Sequence, residues 1–141
     1  MADLRDLTQQ GKIRRGSFSR EQIEDCLAIA RRDLVAAREI LEASPEWAYN
    51  IAYNAMLQAG RALMFHMGYR TSSEGHHTAV VQFLATVLGE AMQPTVTMMD
   101  RMRRNRNRAT YDKAGTLTRA QASEACEVAA SLVEELARLA T

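Results

Sequence analysis

The chain has 141 residues, 47% hydrophobic and 25% charged, with 18 basic against 17 acidic side chains. That length holds one proper hydrophobic core but not two, and a formal net charge of +1 excludes recruitment of a polyanion by a global basic field. Any such partner must be met by a local cluster.

Residues 1–18 carry several basic side chains and few apolar ones, so they are expected to form an arm or a short helix rather than core, ahead of a bundle over 19–141. Ser19 and Gln22 make a capping-box signature, and Ile23, Leu27, Ala30, Leu34, Ala37 and Leu41 continue as the apolar face of a long first helix. Ser44-Pro45 opens a second helix to about Met67, with Gly68 as its C-cap. The stretch "YRTSSEG", 69–75, reads as a loop. A third helix from His76 to Leu88 carries Val80, Phe83, Leu84 and Val87 and stops near Gly89. Gln93-Pro94 starts a fourth helix that ends before Gly115. Thr118 with Gln121 repeats the capping box and begins a last helix along Leu132, Val133, Leu136 and Leu139. Trp47 and Phe83 are assigned to the core. No stretch alternates with period two and spacers are short, so the expected fold is all-α, an antiparallel four-to-five-helix bundle.

The fourth helix contains "DRMRRNRNRATYD", with five arginines between Arg101 and Arg108. At about 100° per residue, Met98, Met102, Asn105 and Ala109 share one stripe, which the two methionines mark as core-facing. Arg101, Arg104, Arg108 and Tyr111 form the adjacent stripe, while Arg103 and Arg106 are expected to point to solvent. Arginine forks suit phosphate, and an aromatic face stacks on bases. On the second helix, Asn50, Asn54, Gln58 and Arg61 make a polar row that suits either solvent or a pocket wall.

Cys26 and Cys126 have no metal-ligand spacing and are expected to be reduced, buried thiols of a cytoplasmic protein. His76 and His77 are adjacent, so they diverge by about 100° on a helix and no metal site is expected. No cofactor motif is present. The N-terminus lacks the apolar segment of a secretory signal, and no run approaches the roughly 18 apolar residues of a membrane span.

Arg104-Asn105 resembles the start of the hallmark motif of the HEPN superfamily: Arg, often followed by Asn, then His after four to six residues. The segments "SREQIEDCLAIARRDLVAAREIL", "WAYNIAYNAMLQAGRALMFHMGYR" and "GHHTAVVQFLA" are similar to prokaryotic HEPN proteins as well. The resemblance implies a helical bundle that dimerises and builds its cleft from both copies. It also implies an RNA or nucleotide ligand, with Arg104 and Asn105 as the catalytic-motif pair and Arg101, Arg104, Arg108, Tyr111, Asn54 and Arg61 as contacts. In HEPN ribonucleases the Arg stabilises charge at the phosphate, the His handles protons, and no metal is needed. Here Ala109 stands where that His belongs. Alanine transfers no proton, and the usual 10² to 10⁴-fold acid-base contribution is lost from that position. His66 is weighed as a substitute proton source. Tyr111 matches the tyrosine that partner nucleotidyltransferases modify in related toxins. The expected function is therefore a catalytically degenerate RNA or nucleotide binding module, possible partner of a nucleotidyltransferase antitoxin. The alternatives are a metal-independent endoribonuclease using Arg104 and a dimeric scaffold without ligand.

Overall fold

A computed structural model describes residues 3–72, 76–107 and 117–141 of the chain. Side-chain caps fix where four of its helices begin. Helix α1 (Leu4–Gln9) is opened by a reciprocal Asp3–Asp6 capping box. Ser19 and Gln22 do the same for α2 (Arg20–Ile40), and Thr118 and Gln121 for α6 (Arg119–Leu139). Helix α3 (Pro45–His66) starts with Ser44 accepting from the Trp47 amide and Pro45 in its first turn. Each such cap stabilises its helix by about 1 kcal/mol. Helices α4 (His76–Val87) and α5 (Gln93–Asn107) follow, separated by a 3-10 turn at Glu90–Met92.

Helix α3 is the central element and packs on α2, α4, α5 and α6. Ala48, Ala52, Ala55, Ala59 and Ala62 are all fully buried along it. Their alternating spacing of four and three makes a narrow seam of small side chains. The seam lets neighbouring helices approach closely, and α2, buried along Ile23, Leu27, Ala30, Leu34 and Ala37, packs against α3. Gly60 extends this logic toward α4: a Cβ there would lie 2.6 Å from Val80 Cγ1 and 3.2 Å from Leu84 Cδ1. The α3–α4 approach therefore requires glycine at that position.

The N-terminal segment holds a short helix, but it also enters the core, where neither an arm nor a short helix was expected to reach. After α1, strand β1 (Ile13–Arg15) pairs antiparallel with β2 (Tyr69–Thr71), and Leu7 and Ile13 are each 1% exposed within the core. Part of the expected 69–75 loop is thus β2, while 73–75 lie outside the described residues. Strands of three residues are too short for a period-two pattern to register. Gly68, at φ +86°, lets the chain leave α3 and enter β2 directly, a left-handed exit that favours glycine.

Trp47 is not core: it is 46% exposed. It lies in the first turn of α3, at the end of the α2–α3 hairpin, where the partner helix has already turned back. Phe83 is fully buried as expected.

Candidate functional site

Helix α5 is rotated relative to the face its methionines suggest. Val96, Met99 and Met102 are buried, Met98 is only half-buried, and Arg103 and Arg106 turn inward to half-buried positions. Arg101 and Arg104 stand exposed. The expectation that Arg103 and Arg106 face solvent is therefore reversed. The cause is packing on several sides: α5 meets α3, α4 and α6, and a helical wheel cannot say which flank the extra neighbour covers. Methionines at 98, 99 and 102 fit either choice.

Where α3, α4 and α5 meet, polar atoms replace part of the core. The Tyr53 hydroxyl shares a 2.9 Å hydrogen bond with His77 Nδ1, and the Arg106 guanidinium lies over the Tyr53 ring at 5.8 Å. Asn105 Nδ2 donates to the Tyr49 hydroxyl at 3.4 Å, a long bond that ties the fourth-helix amide to α3. Asp100 accepts from Arg103 Nε at 3.0 Å and lies 3.7 Å from Arg104 Nε. Burial pushes the Tyr53 phenol up to about 12, although Arg106 and Arg103 oppose it. Burial also raises Tyr49, partly countered by the Asn105 amide and the Arg101 charge.

His77 moves the other way. Burial, with the charges of Arg106, His76 and Arg103 behind it, lowers its pKa to about 4. The folded protein thus holds a neutral imidazole where the unfolded chain takes up a proton near pH 6.5. Between pH 6.5 and 4 the unfolded state binds more protons, so stability falls as the pH is lowered through that window. His77 is half open to water, which screens the effect to on the order of 1 kcal/mol. Urea midpoints at pH 7 and pH 5 should show this loss in the natural protein and a smaller one in His77→Gln. Equal losses in both would show that His77 titrates normally.

The polar row of α3 divides by function. Asn54 Nδ2 donates to Asp33 Oδ2 at 2.6 Å, and Arg32 holds the other oxygen of this buried carboxylate at 2.9 Å. Asn54 is thereby committed to joining α3 to α2, where its amide satisfies a charge that would be costly to bury alone. Asp33 went unnoticed in the sequence, although an acid beside Ala30, Leu34 and Ala37 on an apolar face was its visible signal. Arg61 donates to Gln58 at 3.1 Å and reaches the surface on another side. His66 is exposed at the end of α3, thirteen residues along that helix from Tyr53 and seventeen from Tyr49. Tyr49 and Tyr53 are the residues that sequence reasoning missed, and His77, weighed there only as a metal ligand, is instead the hydrogen-bond partner of Tyr53. The only signal of the two tyrosines was their spacing, four apart on the apolar second helix.

Arg108, Ala109 and Tyr111 lie outside the described residues. Among the described residues, no three of His, Cys, Asp and Glu come together as metal ligands. Both cysteines are buried and free, and burial raises both thiols. No helix of the described residues is long and apolar enough to cross a membrane.

What α5 presents outward is two guanidinium groups three residues apart, Arg101 and Arg104. Asp100 is shared between Arg103 and Arg104, and among the described residues Arg101 has no ion pair. Like charges this close on a helix are mildly destabilising, which an anionic ligand would relieve.

The family model described as HEPN domain matches residues 23–139 of the chain. The crystal structure of TT1696 from Thermus thermophilus is similar to it with a TM-score of 0.68 and 22% sequence identity, covering 84% of this chain and 98% of that one. At that identity the likeness concerns the fold. Among proteins with curated functions, none matches this chain.

Proposed function

The chain belongs to the HEPN domain family, which serves nucleotide- and RNA-related functions, and from that premise we propose that it is an RNA or nucleotide binding protein. The observation that carries this reading is the pair of exposed guanidinium groups, Arg101 and Arg104, on successive turns of α5. Arginine forks bind phosphate oxygens two at a time, and such contacts supply affinity without sequence preference. Catalysis is degenerate in this reading, because Ala109 stands where the family places its proton-transferring histidine. His66, exposed at the far end of α3, does not replace it. A second copy of the chain completes the cleft, as the family's dimers do. A nucleotidyltransferase partner belongs to the same reading and rests on Tyr111 as its acceptor. The setting is cytoplasmic.

Binding of a single-stranded RNA oligonucleotide, followed by fluorescence anisotropy between 50 and 200 mM salt, tests the reading. The natural protein should bind with an affinity that falls as salt rises. Arg101→Ala/Arg104→Ala should bind about tenfold more weakly, with a slope shallower by about 1.4, the loss of two phosphate contacts at roughly 0.7 each. Identical affinity and slope in the double variant would remove these residues from the interface. RNA in the same samples should remain intact without divalent metal.

A further inference from the structure

A second basic site lies away from α5, where α3 ends and β2 begins. Phe18, Gln22, Arg61, Phe65, Arg70 and Thr71 line a cavity of about 310 Å³. Its lining includes two arginines and a glutamine and no acidic residue. Among the described residues neither Arg61 nor Arg70 takes part in an ion pair. Eight residues of helix separate Arg61 from Tyr53, roughly 12 Å along α3, so this is not the seam at α5.

Two features show that the charge here is arranged. Phe18 and Phe65 stack at 4.3 Å with planes 14° apart, and the Arg61 guanidinium lies over Phe65 at 5.4 Å. A guanidinium held on an aromatic stack is oriented before any ligand arrives, which lowers the entropy cost of binding. On the ribbon, Arg14 is paired directly opposite Arg70, and both are exposed. Like charges in opposed cross-strand positions destabilise a sheet. The fold gains nothing evident from that pairing, whereas a bound anion would neutralise it.

We infer that this cavity binds a phosphomonoester, held by Arg61 and Arg70 with Arg14 adding charge from the neighbouring strand. A dianion with three terminal oxygens matches the donor set better than a carboxylate. Two forked guanidinium groups and the Gln22 amide together offer more donors than a carboxylate's two oxygens can use, even with one Arg61 nitrogen already donating to Gln58. Gln22 Oε1 is already taken by the Ser19 amide, so the donating end of its amide is the end left for a ligand. The volume exceeds that of a phosphate alone and sits at the lower end of small-molecule sites, leaving room for the group that carries it. A free mononucleotide and the 5′ end of an RNA strand both present this chemistry. The inference does not depend on the reading of α5.

Calorimetric titration of the full chain tests it with adenosine monophosphate, adenosine, and one oligoribonucleotide in 5′-phosphorylated and 5′-hydroxyl forms. Adenosine monophosphate should bind and adenosine should not. If the strand is also a source, its 5′-phosphorylated form should bind more tightly than its 5′-hydroxyl form. Arg70→Ala, an exposed position that leaves the core untouched, should weaken binding of the monophosphate at least tenfold, while Arg119→Ala, an exposed arginine paired with Glu42 just past the opposite end of α2 from Gln22, should leave it unchanged. A monophosphate that binds no better than adenosine overturns the proposal, and so does Arg70→Ala with natural affinity. Loss of the monophosphate in the α5 double variant would assign the phosphate to α5 instead, and would equally overturn it.

Discussion

Alanine in place of Phe83 is expected to lower the free energy of unfolding by about 3 to 5 kcal/mol, the range for emptying a fully buried aromatic site. Phe83 is fully buried on α4, and its ring meets Tyr69 of β2 at 5.9 Å. The substitution therefore loosens both the α4 packing and the attachment of the ribbon. Against a typical total of 5 to 15 kcal/mol, this is a large fraction of the stability. Phe83→Leu keeps much of the volume and should cost less. Urea midpoints measure both variants, and a loss below about 1 kcal/mol for alanine would mean that the site collapses freely or is not closely packed.

Gly60→Ala is expected to destabilise by about 1 to 3 kcal/mol, even though alanine is favoured over glycine inside a helix by about 1 kcal/mol. The added methyl meets Val80 Cγ1 at 2.6 Å, and a valine on a helix has almost no rotamer freedom with which to retreat. If that contact is the cause, trimming its partner should relieve it. Val80→Ala alone opens a cavity and Gly60→Ala alone overfills the same space. The double variant should then lose less than the two single losses added, with a coupling of about 0.5 to 3 kcal/mol. Simple additivity would show that the two helices do not meet at this point.

The helices were legible because their caps were. Ser19, Ser44 and Thr118 each stand before a helix and accept the hydrogen bond that the motif requires. Phe83 was legible for the same reason, since a bulky apolar residue on a periodic face has one place to go. Trp47 obeyed the same pattern and yet is exposed, because periodicity describes a face and not how far along the helix its neighbour extends. The ribbon escaped notice because three residues carry no period.

The candidate site was read in its residue types but not in its orientation. The arginines of α5 were visible as a cluster, yet which of them face inward depends on where α4 lies against that helix. Asn54 illustrates a second limit. Its partner Asp33 belongs to another helix, and nothing local to either residue declares the pairing. Arg61 is the converse case, singled out on the polar row of α3 and found lining a cavity with Arg70, a residue that received no notice.

The β1–β2 ribbon also bears on how the protein is made. All of α2 and α3 lies between its two strands in sequence. During synthesis the segment holding Leu7 and Ile13 emerges first but has no strand to pair with until Tyr69–Thr71 follows it out. At about 5 to 20 residues per second, that interval is on the order of several seconds. Two side chains that end up almost wholly enclosed must therefore wait in water while the helices they will cover take shape. The ribosome delivers β1 before β2, and the fold can use the first strand only once the second has followed.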